Sequence, residues 1–283
     1  MIGTTPFHCD WLVPDWPAPA GVHAVCTTRA GGVSLPPYGS LNLGLHVDDA
    51  PPAVAYNRNV LAQALGAVPV WMTQVHGTAL LQLDGQPPVP AATTNTRQAL
   101  AAPIADGAWT LDGGRVCAVM VADCLPVLLC SADGAWVAAA HAGWRGLAGE
   151  RNFGILESVF KAFRPGAQVE RAQVAPELIA WLGPCIGPLA FEVGTEVRTA
   201  FLQGVVDAAQ GAAISDCFVF VGQGKFLADL PALARLRLKA LGVTRVYGND
   251  GTDPWCTVTN PSRFFSHRRD RVSGRMAACI WRG

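Results

Sequence analysis

Two apolar segments, each ending at reactive side chains, constrain the fold of this chain more than any other feature. Val116–Val121 leads into Asp123 and Cys124, and Ala135–Ala140 leads into His141. A shorter apolar run and a tight turn connect the two segments. Apolar runs of this length predict neighbouring buried strands joined by a tight connection. Such strands would bring a carboxylate, a thiol and an imidazole to one end of a sheet, which indicates a reaction site.

Strand-like and helix-like segments alternate along the 283 residues. Helical segments are expected at Ala53–Leu65, Leu147–Phe163, Gly194–Ala209 and Asp229–Leu241. Further strands are expected at Val22–Thr28, Val70–Val75, Trp181–Ile186 and Arg245–Tyr247, and irregular connections at Gln86–Asn95 and 164–177. We therefore predict an α+β fold of layered mixed sheets covered by helices. One compact catalytic domain is expected over residues 22–283, after an N-terminal extension at 1–21.

Composition excludes several classes of protein. Hydrophobic residues make up 51% of the chain and charged residues 15%, which favours a folded core over disorder. The 21 basic and 21 acidic residues balance, so a general basic face for nucleic acid or anionic membrane is not expected. No export segment and no apolar run of about 18 residues is visible. The nine scattered cysteines favour reduced thiols and a cytoplasmic protein over a disulfide framework.

Three residues form a candidate metal site. His76, Cys124 and His141 each lie near the end of a predicted strand, without the paired spacing of a zinc finger. Sites assembled from separate strand ends are more often catalytic than structural. Two imidazoles and a thiolate leave one tetrahedral position for water, whose pKa zinc lowers towards about 7.

Other interpretations of the same residues stay open. A histidine at a strand end is often a hydrogen-bonded structural residue, and Cys124 can be a small buried hydrophobe. Asp123 can cap a turn. Cys185 as a fourth ligand would close the metal site and make it structural. Cys124 and His141 can also act as a metal-free nucleophile pair.

Several ordered motifs resemble the laccase-domain family, whose members are labelled polyphenol oxidase and purine nucleoside phosphorylase. The resemblance runs from about residue 22 to the C-terminus. The motifs are Thr27–Ser34, Ser40–Gly44, Thr73–Gly77, Ala122–Pro126, His141–Gly146, Gly183–Gly187 and Phe264–Asp270.

The resemblance implies a zinc enzyme that acts on purine nucleosides, with His76, Cys124 and His141 as ligands. The implied reactions are phosphorolysis of adenosine, inosine or methylthioadenosine, and deamination of adenosine. Asp123, Cys124 and Arg145 are the expected catalytic residues. Asp123 would move a proton or orient a zinc-bound group, and Arg145 would hold phosphate or ribose oxygens. The expected substrate-binding residues are Arg29, Asn42, Gln74, Cys185, His267 and Arg268, with Arg269 as a further candidate.

Two alternative functions remain at this point. A copper-dependent polyphenol oxidase is the first: six histidines are too few for a multicopper laccase, but two histidines and one cysteine match a single blue-copper site. A non-catalytic protein is the second, either an interaction module braced by a closed metal site or a quality-control factor for peptidoglycan precursors. The sequence leaves the oligomeric state open.

Overall fold

The computed structural model describes residues 7–85, 102–163 and 177–283. Among the predicted connections, Gln86–Asn95 and all of 164–177 except Glu177 lie outside the described residues. Within the described part of the chain, no helix is long and apolar enough to cross a membrane.

Strands of the described ranges form three sheets. The first sheet has the order β1-β13-β5-β2, which are Val22–Cys26, Met276–Arg282, Val116–Val121 and Pro69–Val70. The second has the order β12-β8-β6-β7-β4-β3, which are Arg245–Gly248, Leu178–Leu182, Leu125–Ser131, Val137–Ala142, Gly107–Thr110 and Leu80–Gln82. The third has the order β10-β11-β9, which are Phe218–Gly222, Lys225–Ala228 and Glu192–Gly194.

Helices cover the sheets, so the predicted α+β class and the single compact domain are confirmed. The helices α1 to α7 are Pro51–Leu65, Trp144–Ala148, Ile155–Phe163, Thr195–Leu202, Ala208–Asp216, Leu230–Ala240 and His267–Asp270. Helix α1 begins two residues earlier than expected, because proline is tolerated in the first turn of a helix. Helix α6 agrees with the predicted segment, and the Asp229 side chain caps its first turn.

Two segments predicted as continuous helices are each divided in the structure. Leu147–Phe163 is interrupted between α2 and α3, where Gly149, Arg151 and Asn152 all have positive φ. Gly194–Ala209 is interrupted between α4 and α5. Of the region expected as a strand at Val70–Val75, only Val70 lies in a strand, which is Pro69–Val70. A residue with a left-handed backbone conformation ends a helix even where the sequence on both sides keeps a helical pattern of apolar residues.

The first two sheets pack face to face and are covered by helices on their outer faces. Val119 of β5 and Leu128 of β6 belong to the same buried cluster between the sheets. Val127 of β6 packs instead with the helices on the outer face of the second sheet. Because both faces of these strands are covered, their sequences are apolar throughout rather than alternating.

The connection between β5 and β6 crosses from the first sheet to the second. We expected Val116–Val121 to neighbour the following strands in one sheet, and this prediction is wrong: β5 pairs with β13 and β2. Instead, β6 and β7 pair as an antiparallel hairpin, with Pro126 opposite His141. Ala122–Cys124 is therefore a three-residue passage between two sheets. Apolarity alone does not indicate which sheet a buried strand joins.

Residues 7–21, within the expected N-terminal extension, contact the first sheet. Trp11 is buried against the outer face of this sheet. Leu12 forms an isolated antiparallel bridge with Cys26 of β1. The segment thus protects part of the β1 edge from solvent.

Leu128→Ala should lower the free energy of unfolding by about 2–5 kcal/mol, because it leaves a cavity between the two packed sheets. Leu128 is fully buried there. Leu111→Ala is the matched control, since Leu111 is 49% exposed, and it should change stability by less than about 0.5 kcal/mol. Chemical denaturation measures both. Equal effects would contradict the assigned core.

Candidate metal centre

His76, Cys124 and His141 meet where the first sheet passes into the second. Their candidate ligand atoms all lie within 4.8 Å of one another. The Sγ atom of Cys124 lies 3.6 Å from Nε2 of His76, and the centroids of the two imidazole rings are 4.8 Å apart. His141 is buried and His76 is exposed, so the cluster opens to solvent on one side.

Each of the three side chains is placed by a different element. His141 lies on β7, Cys124 ends the passage between the sheets, and His76 occupies a turn with a φ of 61°. Gly143 follows β7 and lies against the cluster. A Cβ atom at Gly143 would lie 2.7 Å from Cδ2 of His76 and 3.0 Å from Sγ of Cys124. The glycine is therefore required for the close approach of these side chains.

A buried carboxylate that the sequence analysis did not single out contacts two of the three residues. Oδ1 of Asp106 lies 2.9 Å from Nδ1 of His141 and accepts a hydrogen bond from the backbone N–H of His76 at 2.8 Å. Burial opposes ionisation of Asp106, but the hydrogen bonds from His141 and Gly77 lower its pKa. Asp106 is thus an anion, and the other ring nitrogen of His141 is left to face the cluster.

Cys124 and His141 shift each other's pKa strongly. Burial by itself would raise the pKa of the Cys124 thiol, but the adjacent His141 and the hydrogen bonds from both imidazoles lower it. Burial likewise opposes the charged form of His141, whereas Cys124 and Asp106 raise the pKa of its imidazole. The thiolate is the form of cysteine that binds metals, so the site favours a metal ligand at this position.

The donor set fits zinc. Zinc prefers thiolate and imidazole ligands, and a sulfur and a nitrogen at standard zinc distances and a tetrahedral angle lie about 3.6 Å apart. Sγ of Cys124 and Nε2 of His76 have this separation. Cys185 is fully buried and stands outside the cluster, where its thiol accepts a hydrogen bond from Asn249. Three protein ligands are typical of an open, catalytic zinc site.

A cavity of about 420 Å³ lies over the cluster. One part of its wall is apolar, and another part carries guanidinium groups. The apolar residues include Trp144, Ile186, Phe191 and Leu230, and the arginines are Arg145, Arg268, Arg271 and Arg275. Asp123 is the only acidic residue among the described residues that line the cavity. A neutral protein thus concentrates positive charge at this one site.

Besides Cys124, five of the expected catalytic and substrate-binding residues line the cavity: Gln74, Asp123, Arg145, His267 and Arg268. Arg145 is exposed at the start of α2, and its guanidinium lies 4.4 Å from the ring centre of Trp144. Arg268 donates a side-chain hydrogen bond to the carbonyl oxygen of Glu192 and lies over Phe191. Both guanidinium groups are therefore held beside aromatic rings of the cavity wall.

Two of these residues also make structural contacts. The Asp123 carboxylate accepts hydrogen bonds from the Thr257 hydroxyl at 2.5 Å and from the Arg268 backbone N–H at 2.6 Å. The Gln74 side chain exchanges two hydrogen bonds with the backbone of Met120 on β5. Asp123 has a φ of 87°, which these contacts hold in place.

Arg29, Asn42, Cys185 and Arg269 do not line the cavity. Arg29 donates hydrogen bonds to the carbonyl oxygens of Gly39 and Pro261 and stacks on Phe265. Asn42 is fully buried, and its side-chain amide forms hydrogen bonds with the backbone of Gly44 and with the carboxylate of Asp49. Arg269 pairs with Asp270 and binds backbone carbonyls. Arg29, Asn42 and Cys185, expected as substrate-binding residues, thus lie outside this cavity and make hydrogen bonds within the protein.

The structure adds cavity residues that sequence analysis missed: His46, Arg271 and Arg275. Partial burial, followed by the positive charges of Arg275, Arg58 and His141, lowers the pKa of His46 to about 4. Arg271 follows the motif at Phe264–Asp270 directly, so extending that motif could have found it. His46 lies shortly after the motif at Ser40–Gly44, so extending that motif could have found it as well.

Comparisons with known proteins agree with this architecture. The family model described as multi-copper polyphenol oxidoreductase laccase matches residues 23–283. The purine nucleoside phosphorylase YfiH of Escherichia coli (strain K12) is 47% identical over 273 residues, which are 95% of this chain and 98% of that protein. A Pseudomonas aeruginosa protein with the same activity in its name is 45% identical over 96% of this chain and 98% of its own length.

A solved structure shows the same fold. The crystal structure of a Neisseria meningitidis protein superposes with a TM-score of 0.78 at 44% identity, and the match covers 96% of this chain and 99% of that chain. The resemblance found in the ordered motifs is therefore confirmed. This chain belongs to the multi-copper polyphenol oxidoreductase laccase family.

Proposed function

We propose that this protein is a zinc-dependent enzyme that cleaves purine nucleosides with phosphate and also deaminates adenosine. Adenosine, inosine and methylthioadenosine are the proposed phosphorolysis substrates. The observation that carries the proposal is one cavity in which the His76–Cys124–His141 cluster lies beside four arginines and an apolar wall. The curated relatives are named purine nucleoside phosphorylases, which supports the phosphorolysis part of the proposal.

The metal component of the proposal is supported by the donor set. His76, Cys124 and His141 would hold the zinc ion, which would supply Lewis acidity and a water molecule of lowered pKa when bound. The exposed side of the cluster faces the cavity, so a substrate can approach it. Asp106 keeps the ring of His141 oriented from behind.

The arginines support a phosphate substrate. A phosphate dianion needs local positive charge, which guanidinium groups provide together with paired N–H donors. Arg145 fits this role, because no hydrogen bond or ion pair to another described residue occupies its guanidinium, which stacks on Trp144. Stacking on Trp144 limits its rotation, which lowers the entropy lost when phosphate binds.

The apolar wall supports a purine base. Phe191 and Trp144 offer aromatic rings, and Ile186 and Leu230 offer aliphatic surface. A purine is flat and aromatic, so it stacks on such rings while its polar edges stay free for hydrogen bonds. His267 is exposed in the cavity and can donate or accept a hydrogen bond at the base or the ribose.

Asp123 suits an orienting role better than proton transfer. Both of its carboxylate oxygens already accept short hydrogen bonds, one from Thr257 and one from Arg268. The bond from Arg268 connects the residue before Cys124 to helix α7, which carries His267 and Arg268. The carboxylate thus fixes the substrate-binding side chains relative to the metal ligands.

Copper-dependent phenol oxidation is the second candidate, because the cluster is also a copper donor set and the family description names a laccase. His46 and His267 are the only other histidines among the described residues lining the cavity. They are too few for a multicopper cluster.

The purified protein should carry one zinc ion per chain and convert adenosine to adenine only when phosphate is present. Conversion of adenosine to inosine should proceed without phosphate, because water is the acceptor. Metal quantification with chromatography of the products measures both reactions. A chelated sample should lose both activities and keep its circular dichroism spectrum, since so large a core does not depend on one ion. Stoichiometric copper with phenol oxidation and no nucleoside cleavage would contradict the proposal.

Cys124→Ala should abolish metal binding and turnover while the protein stays folded, because it removes one of three ligands. Cys185→Ala is the matched control: it removes a buried thiol outside the cluster and should keep stoichiometric zinc. Elemental analysis and thermal denaturation of both variants test this. Loss of zinc from the Cys185 variant would favour a closed, structural site.

Arg145→Lys should raise the KM for phosphate about tenfold, which corresponds to losing roughly one charge-assisted hydrogen bond. Zinc content should not change, and adenosine deamination should suffer less because it uses water. Arg245→Lys is the control, since Arg245 lies on the edge strand β12 and outside the cavity. Equal loss of phosphorolysis and deamination would show that Arg145 orients the nucleoside or braces the turn.

A further inference from the structure

We infer that Asp106 is a positioning residue that orients both imidazoles of the candidate metal centre, so that metal affinity depends on its carboxylate. The inference rests on the metal binding proposed above. Asp106 is fully buried at the start of β4 and lies behind the cluster rather than in the cavity.

The first contact orients His141. Oδ1 of Asp106 lies 2.9 Å from Nδ1 of His141, and the backbone N–H of His141 donates to the carbonyl oxygen of Asp106 at 2.7 Å. Both the ring and the main chain of His141 are therefore held by one residue. With Nδ1 engaged, Nε2 is the nitrogen left for a metal. A carboxylate in this position fixes the tautomer and increases the basicity of the coordinating nitrogen.

The second set of contacts places His76. The carboxylate accepts hydrogen bonds from three successive backbone N–H groups, those of Val75 at 3.1 Å, His76 at 2.8 Å and Gly77 at 2.7 Å. His76 has a φ of 61°, a conformation that is unfavourable for a residue with a side chain. The three hydrogen bonds offset this cost and hold the turn from which the His76 ring reaches Cys124.

The charge of Asp106 complements a cation at the cluster. Among the described residues, its only ion pair is with His141, and no lysine or arginine neutralises it. A buried carboxylate is costly without a positive partner. A metal-bound imidazole supplies that partner through the Nδ1 proton, so metal binding and burial of this charge support one another.

Asp106→Asn should raise the zinc dissociation constant by about 10- to 100-fold. An amide cannot accept hydrogen bonds from all four donors, and its own NH2 group faces N–H groups. Competition with a chromogenic chelator measures the affinity, and the absorption spectrum of the cobalt-substituted protein reports the ligand geometry. Both should change in this variant.

Asp84→Asn is the matched control. The Asp84 carboxylate also accepts several hydrogen bonds, but it lies at the other end of β4 and does not contact the cluster. Its carboxylate accepts hydrogen bonds from the Thr110 hydroxyl at 2.6 Å and the Leu111 backbone N–H at 2.7 Å. This variant should lose stability and keep the zinc affinity and cobalt spectrum of the wild type. Wild-type zinc affinity in Asp106→Asn would overturn the inference and leave the proposed function intact.

A measurement on the wild-type protein keeps the inference testable if Asp106→Asn does not fold. Nitrogen-15 spectra of the imidazoles in the zinc-loaded protein should show His141 with a proton on Nδ1 and zinc on Nε2. Zinc on Nδ1 of His141 would overturn the inference alone. Failure of the wild-type protein to bind zinc would overturn both the inference and the metal component of the proposed function.

Discussion

The passage of the chain from one sheet to the other, between Val121 and Leu125, is the constraint on which the site depends. Strand β5 belongs to the first sheet and β6 to the second, and only Ala122–Cys124 connects them. A connection this short forces the ends of the two sheets to meet. The thiol of Cys124 therefore lies beside His141 at the end of β7, and little conformational freedom remains for either side chain.

The crossing is held by polar contacts that a buried connection requires. Asp123 adopts a positive φ and accepts hydrogen bonds from Thr257 and Arg268. On the opposite side of the cluster, the Asp106 carboxylate accepts hydrogen bonds from backbone N–H groups of the His76 turn and contacts the ring of His141. The two carboxylates thus hold the cluster from two sides through hydrogen bonds, which buried polar groups require.

The cavity wall carries an excess of positive charge, whereas the molecule as a whole is neutral. Among the described residues, four arginines and one acidic residue line the cavity, although the chain has equal numbers of acidic and basic residues. Stacking of Arg145 on Trp144 and of Arg268 on Phe191 places the guanidinium groups beside aromatic surface. The same wall therefore offers both electrostatic attraction for an anion and an apolar face for a flat base.

The sequence by itself determined the fold class, the family and the three residues of the cluster, since apolar runs and ordered motifs are local properties of the chain. Tertiary structure alone decided that β5 joins a different sheet, because a strand covered on both faces carries no mark of its partner. It also brought Asp106, His46 and Arg275 to the site. Asp106 belongs to none of the motifs and meets His141 because β4 pairs with β7. His46 and Arg275 lie just beyond motif residues along the chain, and only folding brings them to the cavity wall.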